Sequence, residues 1–305
     1  VRMKKILHGG KWLTFVVVCL SIPAMASVNK AAELKGGAPF SGPSAPSFQF
    51  APEFHFDEHL QEYFHPKDED FKKRYFLENS TFVEAAFFSI KNRYFFFGNV
   101  VTNFGMGRQE GAILLDPRDV DMAFGPTFEY HADGRNIKAG LDHHCFHQID
   151  VPEWNTLYWN KLFLSYGSSN FRQGDYWKQL GRPGNSGWRE RLSWQAGYGY
   201  FMHSLGGVLD TNALSWGHSY VHELSLSARW TFFHDFGWAV FADGESRARI
   251  DRRGAWLWTE TMGCEAMTVR GSFGVSLFVH WIAVDQSIIR ENRDKLVEVG
   301  ARVFK

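Results

Sequence analysis

Between Asn136 and Tyr166 the chain brings three imidazoles, a thiol and a carboxamide close together, reading NIKAGLDHHCFHQID and then VPEWNTLYWNKLFLSY. In an extended strand alternate side chains share a face, and the Cα atoms of residues i and i+2 lie about 6.6 Å apart. His143 and Cys145 have that spacing. A thiol beside an imidazole is a nucleophile beside a general base, and a carboxamide such as Asn155, opening the next run, can orient the base. His143, Cys145 and Asn155 are therefore the candidate catalytic residues, and acyl transfer is the chemistry they suit. His143, His144, Cys145 and His147 also form a dense set of nitrogen and sulfur donors. A closed zinc site from one strand is disfavoured, because residues i and i+4 stand about 13 Å apart and His144 points to the other face.

The element that positions these groups is a strand whose odd residues Ile137, Ala139 and Leu141 precede His143. Its apolar side thus ends in reactive side chains, and the medium that side meets decides their role. The same alternation recurs along the chain. Val120–His131 sets Val120, Met122, Phe124, Phe128 and Tyr130 against Asp121, Thr127, Glu129 and His131. Arg191–Met202, Tyr220–Phe232 and Trp238–Ile250 repeat the pattern, with aromatics near their ends. Runs of this length exceed the usual strand of a soluble sandwich and match a tilted bilayer crossing.

Adding Thr81–Ile90, Arg93–Phe104, Trp154–Tyr166, Ala255–Thr268, Phe273–Val284 and Lys295–Phe304 to these gives eleven strands. Single-chain bacterial barrels have even counts, so a twelfth is expected between Ser47 and Leu77. The fold class expected is all-β, a closed antiparallel transmembrane β-barrel of about twelve strands over residues 57–305. The charged stretch Asp57–Lys73 could also hold a short helix. Glu260 falls on the face of Trp256, Trp258 and Met262, a defect that a bulge would correct.

Composition agrees. The 305 residues include 29 Phe, 12 Trp and 10 Tyr among 29 Gly, which suits short alternating runs with interfacial aromatic girdles. Equal numbers of basic and acidic residues, 33 of each, leave no electrostatic case for a nucleic-acid partner. Arg2, Lys4, Lys5 and Lys11 precede the apolar run Trp12–Ile22, and Ala24-Met25-Ala26 is a small-x-small cleavage site. Residues 1–26 read as a secretory signal peptide, which removes Cys19, and residues 27–56 as a Pro/Gly/Ser-rich periplasmic lead-in. The expected location is the bacterial outer membrane. Tight turns near Lys91-Asn92, Ala132–Gly134, Phe233–Asp235 and Val269–Gly271 would face the periplasm, leaving His143–His147 near the extracellular rim. The other face of the strands carries Arg191, Glu223, Arg229, Asp243, Glu245, Arg247 and Arg249. In so narrow a barrel those charges are expected to form a salt-bridged plug rather than an open channel.

In this setting His143-His144-Cys145 followed by Trp154-Asn155-Thr156-Leu157-Tyr158 resembles the outer-membrane phospholipase A family. That family carries His-x-Ser on one strand and Trp-Asn-x-Leu-Tyr at the start of the next. Outer-membrane lipid A deacylases also use an outward His-x-Ser. The resemblance implies His143 as base, Cys145 in the nucleophile position, and Asn155 as the group orienting His143. It further implies outer-membrane lipids as partners, a homodimer, and Ca2+ near the oxyanion, with Asp150 the loop carboxylate able to help hold it. The competing class is a non-enzymatic structural or small-solute barrel with an incidental rim cluster.

Overall fold

A computed structural model describes residues 48–50, 54–64, 71, 74–108, 115–132, 134–149, 157–168, 192–202, 220–235, 237–270, 273–287 and 293–305. Residues 1–26, expected to be a signal peptide, most of the expected lead-in, Asp150, Glu153 and Asn155 lie outside them. The strands are β1 (Phe48–Phe50), β2 (Phe54–Phe64), β3 (Leu77–Ile90), β4 (Tyr94–Arg108), β5 (Leu115–Ala132), β6 (Arg135–Gln148) and β7 (Leu157–Ser168). They continue as β8 (Leu192–Phe201), β9 (Tyr220–Asp235), β10 (Trp238–Asp251), β11 (Trp256–Arg270), β12 (Phe273–Asp285) and β13 (Leu296–Phe304). Each pairs antiparallel with its sequence neighbour from β2 onward, and β13 returns to pair with β2. The sheet is therefore a closed barrel of twelve strands, with β1 capping one end of β3. Closure leaves no unpaired edge, which is what permits strands to cross hydrocarbon.

The twelfth strand is β2, inside the interval where it was expected. It occupies Asp57–Phe64 of the charged stretch Asp57–Lys73; beyond it Phe71 and Arg74 are helical, and the Tyr75 N–H donates to the Phe71 carbonyl at 2.7 Å, in keeping with the short helix considered there. The Glu260 defect is resolved differently from expectation. The irregularity lies in the β11–β12 ladder between Glu260 and Thr261, while the β10–β11 ladder runs unbroken. Glu260 thus keeps the outward parity of Trp258 and Met262.

The distribution of polarity is inverted relative to a soluble protein. Leu164 and Leu226 are 54% exposed, Trp230 is 50% and Phe124 is 43%, and all stand on the outer wall. Inside, Glu129 is wholly buried and Glu265 is 1% exposed. Carboxylates are fully buried only when paired, and these are. Glu129 meets Lys138 Nζ at 2.6 Å and His131 Nε2 at 2.7 Å. Glu265 accepts from Ser276 Oγ, and Arg302 Nη1 reaches it at 3.3 Å. Glu223 holds Lys161 at 2.9 Å and Arg249 at 2.8 Å. A sandwich would bury Phe124 and Trp230 between two sheets; here they face outward. The molecule is a closed β-barrel whose greasy side is its exterior.

Candidate active site

Three strands build the site. On β5 the ladder to β6 stops between Phe124, paired with His143, and Thr127, paired with Gly140. Pro126 has no N–H to donate there, and Gly125 lets the two backbones close in. A Cβ on Gly125 would stand 1.8 Å from the carbonyl oxygen of Leu141. No rotamer relieves a clash with backbone, so Gly125→Ala should destabilise the barrel by about 1–3 kcal/mol. The check is a lower folded yield on refolding into detergent, read from heat-modifiable gel migration; an unchanged yield would refute the close approach.

Beyond that break β6 pairs with β7 in a fixed register, His143 with Asn160 and Cys145 with Tyr158. His143 Nδ1 lies 2.7 Å from Asn160 Oδ1. Since a carboxamide oxygen only accepts, Nδ1 carries a proton, and in the neutral ring Nε2 is the nitrogen with the lone pair. The imidazole also packs against Phe124, with ring centroids 4.8 Å apart, and lies 6.4 Å from the Tyr158 ring. Asn160 is 1% exposed, and its backbone carbonyl accepts from the Met202 N–H at 2.9 Å. Among the described residues this gives a base held by a buried carboxamide on the lipid-facing wall.

Cys145 shares that wall but is buried, at 8% exposure, and is a free thiol. No hydrogen bond joins it to His143 among the described residues. Cys264 is also free, on the outer face of β11. His147 faces outward and is exposed. His144 turns inward, as its parity requires: Nε2 bonds Asp121 Oδ1, and the ring stacks on Trp159 at 4.1 Å. The dense donor set is thus split between two faces. No group of three or more His, Cys, Asp or Glu side chains among the described residues could hold a metal ion.

The carboxamide that meets His143 is Asn160, five residues beyond Asn155. Leu157 and Trp159 turn inward and pack with Phe146, Phe201 and Tyr220. Leu162, Leu164 and Tyr166 are the outward residues, all exposed. The sequence held the signal for this. Lys161 and Ser165 share the parity of Leu157, and the lysine pairs with Glu223 inside the barrel. The dipeptide Trp-Asn also occurs twice in WNTLYWN, and its second copy provides the partner.

No protein-family model matches the chain, and no curated protein does. Among solved structures, an outer membrane channel from Pseudomonas putida F1 is similar with a TM-score of 0.51 and 8% identity, over 88% of this chain and 99% of that one. Outer membrane phospholipase A from Escherichia coli gives 0.48 at 10% identity, over 84% and 97%. LpxR from Salmonella typhimurium gives 0.44 at 8% identity, over 82% and 99%. The likeness to the channel is one of fold alone.

Proposed function

We propose that this barrel hydrolyses acyl esters of outer-membrane lipids at its outer wall, with Cys145 as nucleophile and His143 as general base. The observation that carries the reading is the bond from His143 Nδ1 to Asn160, which commits Nδ1 and leaves Nε2 as the ring nitrogen free to act as base on the face that Cys145 shares. Nε2 takes the thiol proton as Sγ attacks the ester carbonyl carbon. The tetrahedral intermediate collapses with cleavage of the ester C–O bond, and the imidazolium returns its proton to the departing alkoxide. Water, deprotonated by the same imidazole, then attacks the thioester, and fatty acid leaves with the thiol restored. The reading places the connections between β6 and β7 and between β8 and β9 on the extracellular side, so the site meets the outer leaflet. Asn160 takes the orienting role first assigned to Asn155. The described residues offer calcium no ligand set and Asp150 lies outside them, so no step runs through the ion. A homodimer belongs to the same reading, and chemical crosslinking in micelles tests it.

Refolded protein in mixed detergent–phospholipid micelles should release fatty acid, measured with and without calcium. Cys145→Ala should abolish release and also remove the acyl adduct seen by mass spectrometry on the wild-type thiol. Turnover that survives Cys145→Ala would overturn the reading.

Two observations favour a second reading, a non-enzymatic barrel that holds or passes small solutes. Cys145 is covered by its neighbours, and a pocket of about 390 Å³ inside the barrel is lined by Arg229, Asp243, His280, Glu298 and Arg302. Absence of fatty-acid release together with solute flux in liposomes would favour it.

A further inference from the structure

A carboxylate stands where a lipid-facing wall should have none. Strand β2 alternates so that Phe54, Phe56 and Leu60 face outward, with Phe54 and Leu60 exposed, and Glu58 shares their parity. The inward row of the same strand carries Asp57, whose carboxylate meets Arg302 Nε at 3.5 Å inside the barrel. Glu58 instead meets two neutral donors from β3. Asn79 Nδ2 donates to Oε1, and Thr81 Oγ1 donates to Oε2. Both oxygens therefore have a neutral side-chain neighbour on β3. Thr102 of β4 stands opposite Thr81 in the ladder, which extends the polar patch over three strands.

An ionised group on a bilayer-facing surface is costly and calls for a partner. Among the described residues no cationic side chain pairs with Glu58. Lys305 is the cationic side chain nearest by register, since it exchanges both backbone bonds with Phe56 and so shares the outward face. It is exposed, and no ion pair joins it to Glu58. The carboxylate stands open to a countercharge approaching from outside the barrel.

We propose that Glu58, with Asn79 and Thr81, forms a binding site on the outer wall for the primary ammonium headgroup of a phospholipid. The chemistry fits a group that carries positive charge and N–H donors together. The carboxylate supplies charge and further lone pairs, and Asn79 Oδ1 and the Thr102 hydroxyl add neutral acceptors at the edge. A quaternary ammonium brings the charge without donors, and a glycerol headgroup brings donors without the charge. The site should discriminate against both.

Native mass spectrometry of the full refolded chain in detergent, titrated with ethanolamine, choline and glycerol phospholipids of identical acyl chains, tests the site. Wild type should retain the ethanolamine lipid about tenfold better than either of the others. Glu58→Gln keeps the shape and should bring the three lipids within about twofold of one another, while Lys305→Ala should preserve the preference. Heat-modifiable migration establishes that both variants are folded. Equal retention of the three lipids by wild type would overturn the proposal, as would a preference that survives Glu58→Gln or disappears in Lys305→Ala. A change of oligomeric state in Glu58→Gln without a change of lipid preference would assign the patch to a second copy of the chain and overturn it equally.

Discussion

His143→Ala is expected to lower fatty-acid release by about 10³-fold, because it removes the group that takes the thiol proton and later returns it. The loss should appear in kcat with little change in KM, since the imidazole contributes to the transition state rather than to holding lipid. Asn160→Ala should cost less, about 10²-fold, through disorder of the ring and its tautomer. Its effect should also depend on the replacement: Asn160→Asp restores an acceptor for Nδ1–H, whereas Asn160→Leu restores only volume. Asn155→Ala makes the comparison decisive. The register joins His143 to Asn160, so Asn155→Ala should leave the rate within about twofold of wild type. If Asn155→Ala is the damaging change and Asn160→Ala the mild one, the assignment of the orienting group fails. Full activity in His143→Ala would remove the hydrolase altogether.

Glu223→Ala is expected to produce the largest loss of stability. Its carboxylate is 6% exposed and accepts from Lys161 Nζ at 2.9 Å and Arg249 Nε at 2.8 Å, with Arg247 Nε at 3.9 Å. Lys161 keeps a second partner in Asp142 at 3.4 Å, and Arg247 keeps Glu245. Arg249 keeps the face of Tyr220, 5.1 Å away, and loses its carboxylate. Removing the carboxylate leaves the buried Arg249 uncompensated, at a cost of about 3–5 kcal/mol. Glu223→Gln retains the hydrogen-bonding shape but not the charge and should cost about 1–3 kcal/mol. The midpoint of urea unfolding in detergent, followed by tryptophan fluorescence, reads both. Midpoints unchanged by Glu223→Ala would mean that water, rather than the carboxylate, satisfies these cations.

Much of the barrel was legible because its physics is local and periodic. An outward row such as Leu224, Leu226, Ala228 and Trp230, set against Glu223, Ser225, Ser227 and Arg229, marks both a strand and its two faces. Strand β2 was harder to read because its outward row, Phe54, Phe56, Glu58, Leu60, is interrupted by a carboxylate. The residues that make Glu58 tolerable, Asn79 and Thr81, come from another strand, so nothing nearby in sequence announces them. Pairing was illegible for a related reason. Which carboxamide meets His143 depends on the register between β6 and β7, and a repeated Trp-Asn offered two answers. The length of the connection between the strands decides between them, and periodicity carries no information about it. The irregularity beside Glu260 was hidden similarly, since it sits in the ladder to β12 and leaves the alternation of β11 intact.

The adjacent imidazoles at 143 and 144 report on two media from one stretch of backbone. One leans on Phe124 toward hydrocarbon, and the other lies against Trp159 beside Asp121 in the interior. A histidine-selective reagent that partitions into lipid and a charged analogue that stays in water should therefore label them in opposite order. A one-residue slip of β6 against its neighbours would exchange their addresses. The chemistry of this rim is thus encoded as much by an odd or even count of residues as by which residues are present.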